Sequence, residues 1–179
     1  MSKIQKLNNR TLALGIKHLK KVDSDFKEIL RDRNDQINSF KKTGGFEGLI
    51  SLIVEQQLSV ASAKAIFSRV KLVCGDFEAS SFLKIKEDEL KATGLSRQKV
   101  TYCRNVAEAV INKTLDFKKL EKMSDREVVE MLVKIKGIGE WTAQCYLMAC
   151  MKRLDAWPSS DLGLIVAIQK IKKINERPK

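Results

Sequence analysis

K-I-K-G-I-G-E-W-T-A, from Lys134 to Ala143, joins two apolar helical stretches through Gly137-Ile138-Gly139. Two glycines this close let the backbone turn tightly, with positive φ where the turn needs it and no Cβ on the outer surface. The free N–H groups at the start of the following helix then point outward, where an anion can approach. Lys134 and Lys136 add positive charge beside the turn. Two readings are open at this point: an ordinary helix-to-helix turn with glycine as the stop signal, or a hairpin that carries its backbone up to a nucleic-acid phosphate.

Upstream, Ser124-Asp-Arg-Glu127 is a capping box, and Val128, Leu132 and Ile135 continue its helix into the turn. Downstream, a helix is expected from near Glu140 to about Met151. It is followed by D-A-W-P-S-S-D-L-G-L, residues 155–164, in which Pro158 and two serines precede Asp161 and then an apolar helix of Leu162, Ile165, Val166 and Ile168. Asp161 is thus expected at or beside a helix N-terminus, where dipole and free N–H groups favour a fixed negative charge. Plain N-capping explains it equally well.

Further toward the N-terminus, Phe46, Leu49, Ile50 and Ile53 form one apolar helical stripe that, continued by four residues, reaches Gln57, with Gln56 beside it. Ser59 can cap a following helix carrying Val60, Ala63, Phe67 and Val70, so E-Q-Q-L-S is a short polar corner or simply a capped turn. Ser96 opens a helix with Val100, Cys103, Ala107 and Val110. Arg97 and Lys99 stand in its first turn, where cations oppose the dipole unless an anion offsets them; a phosphate contact and a solvated pair both fit. Leu12, Ile16 and Leu19 mark an early helix, and Phe26, Ile29 and Leu30 a second one capped by Asp23 or Ser24. Residues 32–45 are the most loop-like stretch and a candidate hinge between lobes.

Apolar residues recur at helical spacing throughout and period-two alternation is nowhere sustained, so the expected class is all-α, and the length suits residues 1–179 as a single domain, either one compact body or two small lobes of one fold. The 179 residues carry 34 Lys+Arg against 22 Asp+Glu, a net charge of +12. Such a field attracts polyanions: it supports nucleic acid through counterion release, and equally permits an anionic membrane surface or no more than a soluble Lys-rich exterior. A hydrophobic content of 44% excludes a disordered basic tail. No apolar run reaches the roughly 20 residues that span a bilayer, and no signal-peptide pattern follows Met1, so no membrane partner is expected and an intracellular protein is. The cysteines at 74, 103, 145 and 150 lack metal-ligand spacing and read as buried free thiols; no metal is assigned to side chains.

Three stretches taken together resemble one family. Phe46 to Ile66 (F-E-G-L-I-S-L-I-V-E-Q-Q-L-S-V-A-S-A-K-A-I), L-V-K-I-K-G-I-G-E-W-T-A, and D-A-W-P-S-S-D-L-G-L are similar to the signature helix pair, hairpin and catalytic segment of the helix-hairpin-helix DNA glycosylases, in their 3-methyladenine DNA glycosylase II branch. G-L-S-R-Q-K, from Gly94 to Lys99, extends the likeness. The family continues past its catalytic segment into a W-x-P-x-R-S-like stretch, whereas this sequence ends 18 residues after Asp161, as a shortened member or a truncated product would.

The resemblance implies a helix-hairpin-helix fold around a cleft and a site built residue by residue. Asp161 takes the place of the catalytic aspartate. Trp141 stands where bifunctional relatives carry a Schiff-base lysine, which implies a monofunctional enzyme. Gln57 matches the side chain that wedges into duplex DNA, and Gly137 and Gly139 the phosphate-binding hairpin, with Lys134 and Lys136 beside it and Lys99, in the first turn of its own helix, a further DNA-binding candidate. Relatives often hold Na+ or K+ there on backbone carbonyls, here those of Val133, Ile135 and Ile138; no other cofactor is implied. Trp141 and Trp157 are candidates for the faces of a base pocket, or for core. The implied activity is hydrolysis of the N-glycosidic bond of alkylated purines such as 3-methyladenine and 7-methylguanine in double-stranded DNA, the first step of base excision repair. The expected state is a monomer, in the nucleoid-bearing cytoplasm of a prokaryote or the nucleus of a eukaryote. The alternative is a non-catalytic DNA-binding or damage-sensing module of the same fold. The one histidine, His18, lies in the first helix, away from these motifs.

Overall fold

The computed structural model describes residues 5–31 and 41–176, so most of the 32–45 stretch read as a hinge lies outside the described residues. Helices account for the regular structure, and an isolated antiparallel bridge between Lys6 and Arg153 is the one extended pairing among the described residues. None of these helices is long and apolar enough to cross a membrane.

Helix α1 (Asn9–Val22) is opened by a capping box between Asn8 and Thr11, and α2 (Ser24–Ile29) by Asp23, whose carboxylate accepts from the amides of Asp25 and Phe26. The centre of the molecule is α3 (Gly45–Glu55). Its apolar residues are not confined to one stripe: Phe46 and every residue from Gly48 to Val54 is buried, so neighbours must surround it. They are α4 (Val60–Cys74), α7 (Arg97–Ile111) and the chain from α10 (Glu140–Cys145) into a π-helical turn, Tyr146–Cys150. Burial of side chains such as Leu49, Ile50 and Ile53, none of them exposed at all, contributes roughly 1.5–3 kcal/mol each.

Short helices α5 (Ala79–Lys84) and α6 (Glu87–Ala92) lead to α7, and Phe46, Phe67, Phe77 and Phe82 form an aromatic cluster with centroids 5.4–6.4 Å apart. After α8 (Phe117–Leu120) comes α9 (Asp125–Leu132), opened by the expected Ser124–Glu127 capping box. The last helix, α11 (Leu162–Lys172), lies with α1 and α2 in a second group that has no fully buried side chain. That group is tied together by the Lys172 ammonium, which bonds to Asp23 and Asp25 and lies 5.5 Å from the centre of the Phe26 ring.

Two expectations fail locally. Val60, expected on the inner face of α4, is 86% exposed, because it is the first residue after the Ser59 cap and the helix dips inward only from Ala63. Gln57 does not continue α3: the helix ends at Glu55, and Gln56 leaves it with φ −50° and ψ 126°.

Candidate active site

The two helix groups meet along a cleft of about 990 Å³, bounded by the turn after α3, the first turns of α7, the hairpin between α9 and α10, and the N-terminus of α11. Its geometry begins with the hairpin. Ile138 is the anchor, 4% exposed, with its amide donating to the carbonyl of Ile135 at 3.0 Å. Gly137 has φ +106°, and a Cβ there would lie 2.2 Å from Cγ of Tyr102, so both backbone conformation and close approach require glycine. Gly139 is the N-cap of α10 and has nothing within 4 Å of the place a Cβ would occupy: its outer side is open. Lys134 and Lys136 are exposed on the same turn.

The turn after α3 faces the hairpin. Gln57 adopts the left-handed conformation, φ +55°, uncommon for a residue with a side chain, and is exposed at the cleft. Gln56, given no role above, bridges two elements: its Nε2 donates to the carbonyl of Gly137 at 3.1 Å and to Oγ1 of Thr142 at 3.0 Å. Lys99 corrects the sequence reading. Its ammonium is turned inward, donating to the carbonyls of Val54 at 2.6 Å and Gln56 at 2.7 Å, so the charge that opposed the dipole of its own helix is offset by the negative end of α3 rather than by a phosphate. Partial burial pushes its pKa below the ordinary lysine value.

Across the cleft, Asp161 caps α11, as the sequence predicts, and also lines the opening. Oδ1 accepts from the amide of Leu164 at 2.8 Å, and Oδ2 accepts from Nε1 of Trp141 at 2.8 Å. The carboxylate plane is therefore fixed from two sides while Asp161 stays half-buried. Trp141 is half-buried and lines the same cleft. Trp157 is neither pocket nor core. It is 54% exposed and borders a separate groove with Val129, Glu140 and Leu147, because Pro158 and the two serines turn the chain between it and Asp161.

All four cysteines are buried free thiols. Burial pushes those of Cys103, Cys145 and Cys150 up to about 12, so none supplies a thiolate at neutral pH. Among the described residues no group of three His, Cys, Asp or Glu side chains could hold a metal ion. His18 is exposed on α1 and does not line the cleft.

A glycine hairpin, an exposed residue on a strained turn and a clamped aspartate thus share one cleft. The family described as HhH-GPD superfamily base excision DNA repair protein matches residues 50–179, a span that contains all three. The chain belongs to the HhH-GPD superfamily. Among its relatives is DNA-3-methyladenine glycosylase 1 of Schizosaccharomyces pombe, 33% identical over 153 residues that make up 82% of this chain and 67% of that protein. The HhH-GPD fold recurs in the solved structure of the S. pombe 3-methyladenine DNA glycosylase in complex with abasic DNA, with a TM-score of 0.84, 26% identity, and 92% of this chain and 82% of that one covered. It recurs also in a DNA-3-methyladenine glycosidase from Bacillus halodurans, with a TM-score of 0.70 and 33% identity over 84% of this chain and 70% of that one.

Proposed function

We propose that this protein is a monofunctional DNA glycosylase that hydrolyses the N-glycosidic bond of alkylated purines in duplex DNA. The carrying observation is the Asp161 carboxylate, held by two donors at the edge of a cleft that also contains the glycine hairpin and Gln57.

The chemistry follows from these residues. Removing a base from the stack costs a few kcal/mol, less where the base is damaged or poorly paired. Gln57, on a turn that projects it at the cleft, would fill the vacated space. Open N–H groups at Gly139 and the start of α10, with Lys134 and Lys136, would hold the backbone phosphate. As the C1′–N bond breaks, its electron pair leaves with the base and positive charge develops on the sugar. Asp161 stabilises that cation, and water closes the reaction by bonding C1′ and giving up a proton. The product is an abasic site and a free base.

Alkylated purines suit this site because 3-methyladenine and 7-methylguanine are already cationic and depart as neutral bases, and no histidine lines the cleft to protonate a poorer leaving group. Trp141 offers an aromatic face to such a cation, worth about 0.5–2 kcal/mol, and has no amine with which to form a Schiff base. The hairpin carbonyls of Val133 and Ile138 accept no hydrogen bond among the described residues and that of Ile135 accepts one, which leaves lone pairs with which the three would hold a monovalent cation and so supply a fixed positive charge near a phosphate.

The test is a product analysis on alkylated duplex DNA. Free methylated purine should appear while the strand stays intact until alkali is added, and borohydride should trap no protein–DNA adduct. DNA binding without base release would establish a binding module instead.

A further inference from the structure

The turn that carries Gln57 and the turn that carries Gly137 lie far apart in sequence, yet Gln56 joins them across 81 positions. We infer that Gln56 and Lys99 are positioning residues that make the wedge turn and the phosphate hairpin one rigid unit, so that insertion into a duplex and the grip on its backbone occur together. This rests on the glycosylase reading of the cleft.

A left-handed residue with a side chain persists only where its surroundings over-determine it. At Gln57 the constraint comes from the residue before it. Lys99 draws the carbonyls of Val54 and Gln56 onto one ammonium, which fixes the point at which the chain leaves α3. The side chain of Gln56 is then committed to the other turn through Gly137 and Thr142, one partner on the hairpin and one on the first turn of α10. Helix α7 is the common base. It carries Lys99 under the wedge turn and, on successive turns, Tyr102 packed beneath Gly137 and Asn105, whose Nδ2 donates to the carbonyl of Lys136 at 2.9 Å. Neither turn can shift without breaking bonds to the other. Binding energy gained at the phosphate is thereby available to drive unstacking at the wedge, the step that requires it.

The experiment places 2-aminopurine opposite an abasic-site analogue in duplex DNA and follows its fluorescence, which reports wedge insertion and needs no base release. Lys99→Met and Gln56→Leu should each weaken insertion by about tenfold, the scale of a lost charge-assisted or doubly used hydrogen bond. The double variant should be no worse than either single one, because both act on one unit. Lys99→Arg should recover part of the signal, whereas Gln56→Glu, which sets an acceptor against the Gly137 carbonyl, should not. Gln56→Asn, too short to reach the hairpin from its half-buried position, gives the same reading should Lys99→Met unfold. Normal insertion in these variants, or losses that multiply in the double variant, overturns the inference. Absence of base release by the wild-type protein with a normal insertion signal overturns the catalytic reading and leaves this one standing.

Discussion

Trp141→Phe removes one donor from Asp161 and little else: the aromatic ring remains and the Nε1–Oδ2 bond of 2.8 Å is lost. Two effects oppose each other. The indole N–H offsets part of the negative charge on Oδ2, so its loss strengthens the attraction between carboxylate and cationic sugar. In a cleft open to water a dipole of that size is worth about 1 kcal/mol or less. Against this, Asp161 would be left with the Leu164 amide alone, on Oδ1. The carboxylate is then free to turn about that bond and point away from the sugar. A hydrogen bond to a charged group contributes about 1.5–3 kcal/mol. Both residues are half-buried, so water replaces part of it and the lower end applies. Orientation wins by about 0.5–1.5 kcal/mol, and the single-turnover rate of methylpurine release should fall about two- to tenfold. Affinity for abasic duplex DNA should stay within about 0.5 kcal/mol of wild type, since Trp141 bears no charge for the phosphates. An unchanged or faster rate would show that the bond restrains nothing the reaction uses.

The two hairpin glycines should separate stability from binding. Gly137→Ala combines an unfavourable φ of +106° with a clash against Tyr102 and should cost about 2–4 kcal/mol in chemical denaturation. Gly139→Ala, with open space around it, should leave the unfolding midpoint alone and weaken DNA affinity by crowding the phosphate. Lys134→Ala and Lys136→Ala should each lower the slope of log affinity against log salt by about 1. The tie between α11 and α2 predicts a pH window. Lys172 holds Asp23 below its usual carboxylate value of 3.8, so Asp23 contributes stability above 3.8 that is lost as pH falls through its folded value. Asp23 and Asp25 raise Lys172 above 10.5, so its contribution is full below 10.5 and lost at higher pH. Amide exchange in α11 should therefore rise at both extremes relative to the trend of an unprotected peptide, and Lys172→Met should flatten the response.

Sequence signals carry furthest where the physics is local. Ser59, Ser96, the Ser124–Glu127 box and Asp161 all cap the helices they were expected to cap, because a cap needs only its own next three residues. The α3 stripe was visible, but not that α3 is enclosed on every side, since enclosure depends on which helices come to meet it. The partner of Lys99 is hidden from the sequence for the same reason: a long side chain takes its partner from whatever lies within reach, and the C-terminal carbonyls of α3 belong to a segment some 45 positions earlier. The bridging role of Gln56 is masked by its neighbour Gln57. The signal available was the pair itself, two amides at a helix end, of which only one can face outward once the turn is made. For Asp161, capping α11 and lining the cleft are one geometry, so the N-cap reading does not compete with a place at the site.

The central claim is that Asp161 acts on the sugar rather than merely closing a helix. Asp161→Asn tests it most directly, because asparagine is as good an N-cap and leaves α11 intact while removing the charge. In single-turnover release of 7-methylguanine from alkylated duplex DNA, the variant should bind with wild-type affinity and release base about 10²–10³-fold more slowly. Release at the wild-type rate would contradict the account.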